Sequence, residues 1–236
     1  MKRFSLVFII ACLVGASGVA AQDEPRSNGA PVEDGAYIRV GAGATFVSDW
    51  EQDYAFNPAF VFVGGPPAGQ TVSNGNGFLA GAALGFDYAD GIRTELEYRY
   101  ASSQVANVVI DEFSGPTTVT PANDNLTAHF IFSNFFFDFY NQSRMTPFIG
   151  GGVGGALVEN ENGDWDGALA YQARAGVAFA VNNGFSLDFE YIYMRTNKLV
   201  YGPKVEDFTP AGPFETNISG DRYEASSVMV SLRKQF

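Results

Sequence analysis

The chain has 236 residues, enough for one sizeable domain or two small ones, and 46% are apolar and 15% aromatic. That aromatic content excludes a disordered chain, and a charged fraction of 17% is low for a soluble domain, where about a quarter is usual. A net charge of -12 excludes a nucleic-acid partner, because binding one needs a basic surface.

Lys2 and Arg3 precede the apolar run FSLVFIIACLVGASG, and VAAQ (19 to 22) supplies small residues before a cut. This is the pattern of a secretory signal peptide over 1–21. A lipoprotein cut at Cys12 competes poorly, since Ile10 is bulky where a small residue is preferred. Cys12 is the single cysteine, so the exported chain is expected to hold together without disulfides. Residues 22–35 read as a short periplasmic N-terminal segment, and 36–236 as one β-domain.

Eight period-two segments follow, separated by turn signals. The first, 37 to 46, sets Ile38, Val40 and Phe46 against Arg39, Gly41 and Gly43. The second, 78 to 88, sets Phe78, Leu84 and Phe86 against Gly81, Gly85 and Asp87. The third, RTELEYRY (93 to 100), sets Leu96, Tyr98 and Tyr100 against Arg93, Glu95, Glu97 and Arg99. The fourth, 128 to 139, carries Phe on both faces. The favoured phase puts Phe135, Phe137 and Phe139 on the apolar face, with Asn134 and Asp138 opposite.

The fifth segment, 147 to 158, sets Ile149, Val153 and Leu157 against Gly150, Gly152 and Gly154. The sixth, 169 to 179, sets Tyr171, Val177 and Phe179 against Gln172 and Arg174, with Val177 expected at mid-strand. The seventh, 185 to 193, sets Leu187, Phe189 and Tyr191 against Asp188 and Glu190. The eighth, 226 to 236, sets Val228, Val230, Leu232 and Phe236 against Ser231 and Arg233.

The connections alternate in length. Residues 89 to 91, 140 to 145 and 182 to 184 are short, whereas 47 to 77, 101 to 127 and 196 to 222 are long. Compact soluble hairpins use about 2–5 loop residues. An antiparallel up-and-down transmembrane β-barrel of eight strands puts every short turn at one end and every long loop at the other. In lipid the apolar faces turn outward and the charged faces line a narrow interior.

That interior set is Arg39, Arg93, Arg99, Arg174 and Arg233 against Asp87, Glu95, Glu97, Asp188 and Glu190. Equal numbers suit a confined space, where unpaired charge costs several kcal/mol. The glycines on the same faces make room for the arginines. Without Lys2 and Arg3 the net charge is -14, and all of it falls on segment 22 to 35 and the longer connections. The exposed ends are therefore acidic. Filling of the lumen by ion pairs is the favoured reading, and a gated ion path is the sharper alternative.

The final strand SVMVSLRKQF ends in Phe236, and this resembles the signal that barrel-assembly machinery reads in Gram-negative bacteria. TPFIGGGVGGA (146 to 156) and AYQARAGVAFAVNNGFSLDFEYIYMR (170 to 195) resemble the fifth to seventh strands of the OmpA-like, opacity-type and surface-antigen barrels. The resemblance covers nearly all of the chain after the signal peptide and is weakest in the first two loops. It implies a bacterial cell outer-membrane location, the assembly machinery as a partner of the C-terminal strand, and contact with outer-membrane lipid and lipopolysaccharide. Lys234 stands where the family usually has an aromatic. The peptidoglycan-binding domain that follows the barrel in OmpA has no counterpart here, so tethering through one is not expected.

The chemistry-bearing residues point away from catalysis. His129 is the single histidine, and a catalytic role would need a serine or carboxylate beside it. Ser133 is too far along the strand. One histidine and no cysteine after the signal peptide leave too few soft ligands for a metal, and no cofactor is expected. ENENGDWDG (159 to 167) has a vague calcium-loop spacing but lacks the terminal Glu. NPAFVFVGGPPAG (57 to 69) is apolar for a loop, and either extends the first hairpin or meets a partner. The expected function is a non-enzymatic outer-membrane barrel serving envelope integrity, with acidic surface loops for interaction with an unidentified extracellular partner. The alternatives are a small porin-like channel and an outer-leaflet lipid-modifying enzyme.

Overall fold

The computed structural model describes residues 34–57, 69–88, 90–112, 115–119, 125–141, 143–181, 184–206, 214–220 and 222–236. The expected signal peptide, nearly all of segment 22–35 and most of the apolar stretch 57–69 lie outside the described residues. Among the described residues, twelve strands form one antiparallel sheet: β1 (Gly35–Val47), β2 (Trp50–Asn57), β3 (Gly69–Tyr88), β4 (Ile92–Glu112), β5 (Gly115–Val119), β6 (Asn125–Asp138), β7 (Met145–Glu159), β8 (Trp165–Ala180), β9 (Phe185–Thr196), β10 (Val200–Glu206), β11 (Phe214–Gly220) and β12 (Glu224–Gln235). Eight of these close a ring in the order β1, β3, β4, β6, β7, β8, β9, β12. The seam is fully laddered, from Tyr37 opposite Gln235 to Val47 opposite Ala225. In hydrocarbon such closure satisfies backbone groups that would otherwise cost several kcal/mol each.

Each of the eight segments read from the sequence is one ring strand, and the side-chain faces fall as the alternation predicts. Leu84, Leu96, Val153 and Phe189 are exposed on the outer wall, while Arg39, Glu95, Arg99, Arg174 and Glu190 are buried in the lumen. The fourth segment takes its favoured phase, with Phe135 and Phe137 outside and Asn134 inside. A strand crossing the membrane needs about 9–11 residues. At 20 and 21 residues, β3 and β4 run well past the bilayer.

Two features depart from the expected plan. Much of what read as long loops is strand: β2 adds to the upper part of β3, β11 adds to β2, β10 adds to β11, and β5 adds to β4. The lumen is also not charged throughout. Its loop-side half is an apolar core of Leu79, Leu126, Phe130, Phe132, Val158, Ile192, Met194 and Tyr223, capped by Trp50 and Leu199. The physical reason is depth. Ion pairs fill the half nearer the short turns, and the other half is sealed from both water and lipid, where hydrocarbon is the cheapest filling.

The inward glycines of β7 keep this packing close. A Cβ on Gly150 would strike the ring of Phe136, one on Gly152 the side-chain oxygen of Asn134, and one on Gly154 the backbone oxygen of Ile131.

Candidate functional site

Alternation on four ring strands aims charged side chains at the centre of the lumen. Arg39 comes from β1, Glu95, Glu97 and Arg99 from β4, Arg174 from β8 and Glu190 from β9. Their register is set by the ladder: Gly85 lies opposite Glu95, Gly81 opposite Arg99 and Gly150 opposite Arg174. A glycine in each pair leaves its partner the width it needs.

These six residues form one cluster of three guanidiniums and three carboxylates. Arg39 donates from Nη2 to Glu95 Oε1 at 2.6 Å and from Nη1 to Glu190 Oε1 at 2.7 Å. Arg174 donates from Nε to Glu190 Oε2 at 2.8 Å, and from Nη1 to both Glu95 Oε1 and Glu97 Oε2 at 2.9 Å. Arg99 donates to Glu97 Oε1 from Nε at 3.1 Å and to Gln172 Oε1 from Nη1 at 2.8 Å. Asn134 Nδ2 bridges Glu95 and Glu97 at 2.9 and 2.8 Å, and Tyr37 donates its hydroxyl to Glu95 at 3.1 Å. The charged side chains of the cluster are no more than 3% exposed. Each carboxylate is thus met by more than one donor, which is the condition for tolerating a buried ion pair.

A second tier lies toward the short turns. Arg93 pairs with Asp138 at 2.6 Å, and Arg233 reaches Asp188 at 3.2 Å and Asp87 at 3.6 Å. Arg93 also stacks between the rings of Phe136 and Phe148 at 4.8 and 5.2 Å. The structure therefore brings the ten expected lumen residues into two adjoining tiers. Asp138 was missed as a partner. Its signal was available, because it shares the polar phase with Asn134.

The remaining candidates fall elsewhere. His129 faces outward from β6, with Nδ1 2.8 Å from the Tyr98 hydroxyl and its ring beside Tyr100 and Trp165. Ser133 stands opposite Val153 and Leu96. The 159 to 167 stretch is a tight turn rather than a cation loop. Asn160 Oδ1 accepts from the backbone N–H groups of Asn162 and Asp164, and Glu161 folds inward to accept from Gln70 Nε2 at 2.5 Å. Among the described residues no group of three or more His, Cys, Asp and Glu is placed to hold a metal. Above the lumen, burial and the nearby Glu161 push the Tyr54 hydroxyl up to about 12 and the Tyr201 hydroxyl higher. Phe236 ends the chain 73% exposed, with its N–H bonded to the carbonyl of Ala36 at 2.9 Å.

The comparisons with known proteins agree with this architecture. The family described as surface antigen matches residues 69–195, more than half of the chain. Outer membrane protein PagN of Salmonella typhimurium is 26% identical over 219 residues, covering 84% of this chain and 86% of PagN. Among solved structures, the outer membrane protein OprG of Pseudomonas aeruginosa superposes with a TM-score of 0.57 at 14% identity. That match covers 90% of this chain and 98% of OprG, and shows the fold alone. Neisserial surface protein A matches with a TM-score of 0.49 at 15% identity, covering 85% of this chain and 97% of its own. A closed eight-stranded ring, an apolar outer wall, the surface antigen match and the likeness to PagN and OprG together make the chain a bacterial outer-membrane β-barrel that belongs to the surface antigen family.

Proposed function

We propose that the chain is a non-enzymatic, non-conducting wall protein of the outer membrane, which contributes to envelope integrity and carries acidic loops outward for interaction. The observation that carries this reading is the lumen cluster of Arg39, Arg99 and Arg174 with Glu95, Glu97 and Glu190, whose side chains are at most 3% exposed. Three equal and opposite charges, paired over one cross-section, form a stopper rather than an ion path. The apolar core above it adds a second barrier to ions.

The partners follow from the same surfaces. Outer-membrane lipid and lipopolysaccharide surround the apolar wall, and the assembly machinery reads the last strand and Phe236. An extracellular partner meets the acidic loop end. The absence of catalysis is argued from His129, whose ring neighbours are Tyr98, Tyr100 and Trp165.

Planar-bilayer recording tests this reading. The native protein is expected to give no current above background. Reproducible steps that change in an Arg99→Ala variant would establish the porin-like alternative instead.

A further inference from the structure

The sole histidine of the chain sits on the lipid-facing wall in a group of aromatic side chains that nothing in the lumen requires. Tyr98 and Tyr100 of β4, His129 of β6 and Trp165 of β8 converge on one patch. The His129 ring centroid is 5.2 Å from that of Tyr100, 5.6 Å from that of Trp165 and 6.1 Å from that of Tyr98. Trp165 and Tyr98 are each about half exposed, at 48% and 49%.

Depth places this patch at the outer interface. His129 lies nine residues from Asp138, the turn-side end of β6. At about 3.3 Å per residue and a tilt of about 40°, that is about 23 Å, close to the upper limit of an apolar band about 25 Å tall. Aromatic side chains with polar tips are favoured at this level.

Hydrogen bonding gives the patch a direction. The Tyr98 hydroxyl meets Nδ1 of His129 at 2.8 Å. With the hydroxyl donating to Nδ1, the ring carries its proton on Nε2. Among the described residues no hydrogen-bond partner meets Nε2 of His129, the indole N–H of Trp165 or the hydroxyl of Tyr100. Three donors thus face the headgroup layer within one patch, and two of them, imidazole N–H and indole N–H, cannot also accept. Arg195, an outward-facing cation of this belt, is paired with Glu224 at 3.1 Å. Glu159, in register with Trp165 on the loop side, would repel an anion there, which sets the ligand on the membrane side of Trp165.

We infer that Tyr100, His129 and Trp165 form a binding site for the terminal phosphate of an outer-leaflet lipid headgroup, with Tyr98 as the positioning residue that holds the His129 ring. A terminal phosphate offers several acceptor oxygens and negative charge, and matches a set of convergent donors at the headgroup level. The inference depends on the outward orientation of this wall and not on whether the lumen conducts.

The two tryptophans make the site directly readable. Trp165 lies in it, and Trp50 is buried at 1% exposure, away from lipid. The protein is refolded into vesicles of phosphatidylcholine containing either phosphatidic acid or phosphatidylcholine with brominated acyl chains. Quenching of fluorescence then gives the relative affinity of the two headgroups at Trp165, with a Trp165→Phe variant supplying the Trp50 baseline. Phosphatidic acid is expected to be preferred by about fivefold, the scale of one net charge-assisted hydrogen bond at a wet interface. The preference is expected to fall to near unity in His129→Leu and to an intermediate value in Tyr98→Phe. Tyr171→Phe, elsewhere on the same belt, is expected to keep it. Free inorganic phosphate at millimolar concentration is expected not to compete, which separates a lipid site from a phosphate site. Equal quenching by the two lipids in the native protein, or an unchanged preference in His129→Leu, would mean that interfacial water alone satisfies these donors, and would overturn the inference.

Discussion

Removing Arg174 is the sharpest perturbation of the lumen cluster. Its guanidinium donates to Glu190 through Nε and Nη2, and to Glu95 and Glu97 through Nη1. In Arg174→Met the aliphatic stem is largely replaced, while the charge and the guanidinium 4.9 Å over the Phe136 ring are lost. Three buried carboxylates then face only Arg39 and Arg99. Breaking one partner of a buried pair costs about 3–5 kcal/mol, because the remaining charge is uncompensated. The expected loss is therefore about 3–5 kcal/mol, read by equilibrium urea unfolding from lipid vesicles with tryptophan fluorescence and an unchanged dependence on urea. Adding Glu190→Gln restores equal charge, and the double variant is expected to regain about 2 kcal/mol or more through their coupling. A single-variant loss below about 1 kcal/mol, or a double variant as unstable as the two single losses summed, would refute the view that charge pairing holds the lumen.

Other substitutions probe the wall and the packing. Ala175 faces lipid five residues above the turn end of β8, near the bilayer midplane, so Ala175→Arg is expected to cost about 2–4 kcal/mol in bilayer folding. Val177 stands only three residues from that end, and Val177→Arg is expected to cost about 1 kcal/mol or less in the same measurement. Gly154→Ala drives a methyl group into the Ile131 carbonyl and is expected to lower stability by about 1–3 kcal/mol, without changing the outer wall. Deleting Phe236 is expected to slow appearance of heat-modifiable protein in the outer membrane of cells, as followed by unheated gel electrophoresis. Normal assembly without it would discredit the terminal signal.

Much of this molecule is legible in the sequence because strand alternation has a period of two and a barrel has only two sides. RTELEYRY shows both sides at once: Glu95, Glu97 and Arg99 reach the lumen, and Leu96 and Tyr98 reach lipid. The same rule loses its contrast where both sides are apolar. Phe130 and Phe132 face the lumen while Ile131 and Phe135 face lipid, so alternation alone could not place them, and the apolar half of the lumen went unseen. The mid-strand expectation for Val177 erred because the strand extends upward to Trp165, which moves its centre away from the turn end.

Charge counting located the lumen set but not its pairing. Equality of sign is a property of the whole face, whereas Arg93 pairs with Asp138, two residues along β6 from its register partner Phe136, although Asp87 lies directly opposite it on β3. The outer strands β2, β5, β10 and β11 were illegible for another reason. β2 pairs with the extension of β3, β5 with that of β4, β11 with β2 and β10 with β11, all above the bilayer, where neither face has to meet lipid and the composition is that of an ordinary loop. Gln52 and Gln70 are buried there, which a hydropathy pattern assigns to solvent.

The central claim is the inversion of the wall, and neighbouring positions on β9 test it most directly. Phe189 is half exposed on the outer side and Ile192 is fully buried in the lumen. In a background with Cys12 removed, Phe189→Cys and Ile192→Cys variants are folded into vesicles and treated with a lipid-soluble or a water-soluble maleimide. The account predicts reaction of Phe189→Cys with the lipid-soluble reagent alone and no reaction of Ile192→Cys with either. Ready reaction of Phe189→Cys with the water-soluble reagent, or of Ile192→Cys with the lipid-soluble one, would contradict it.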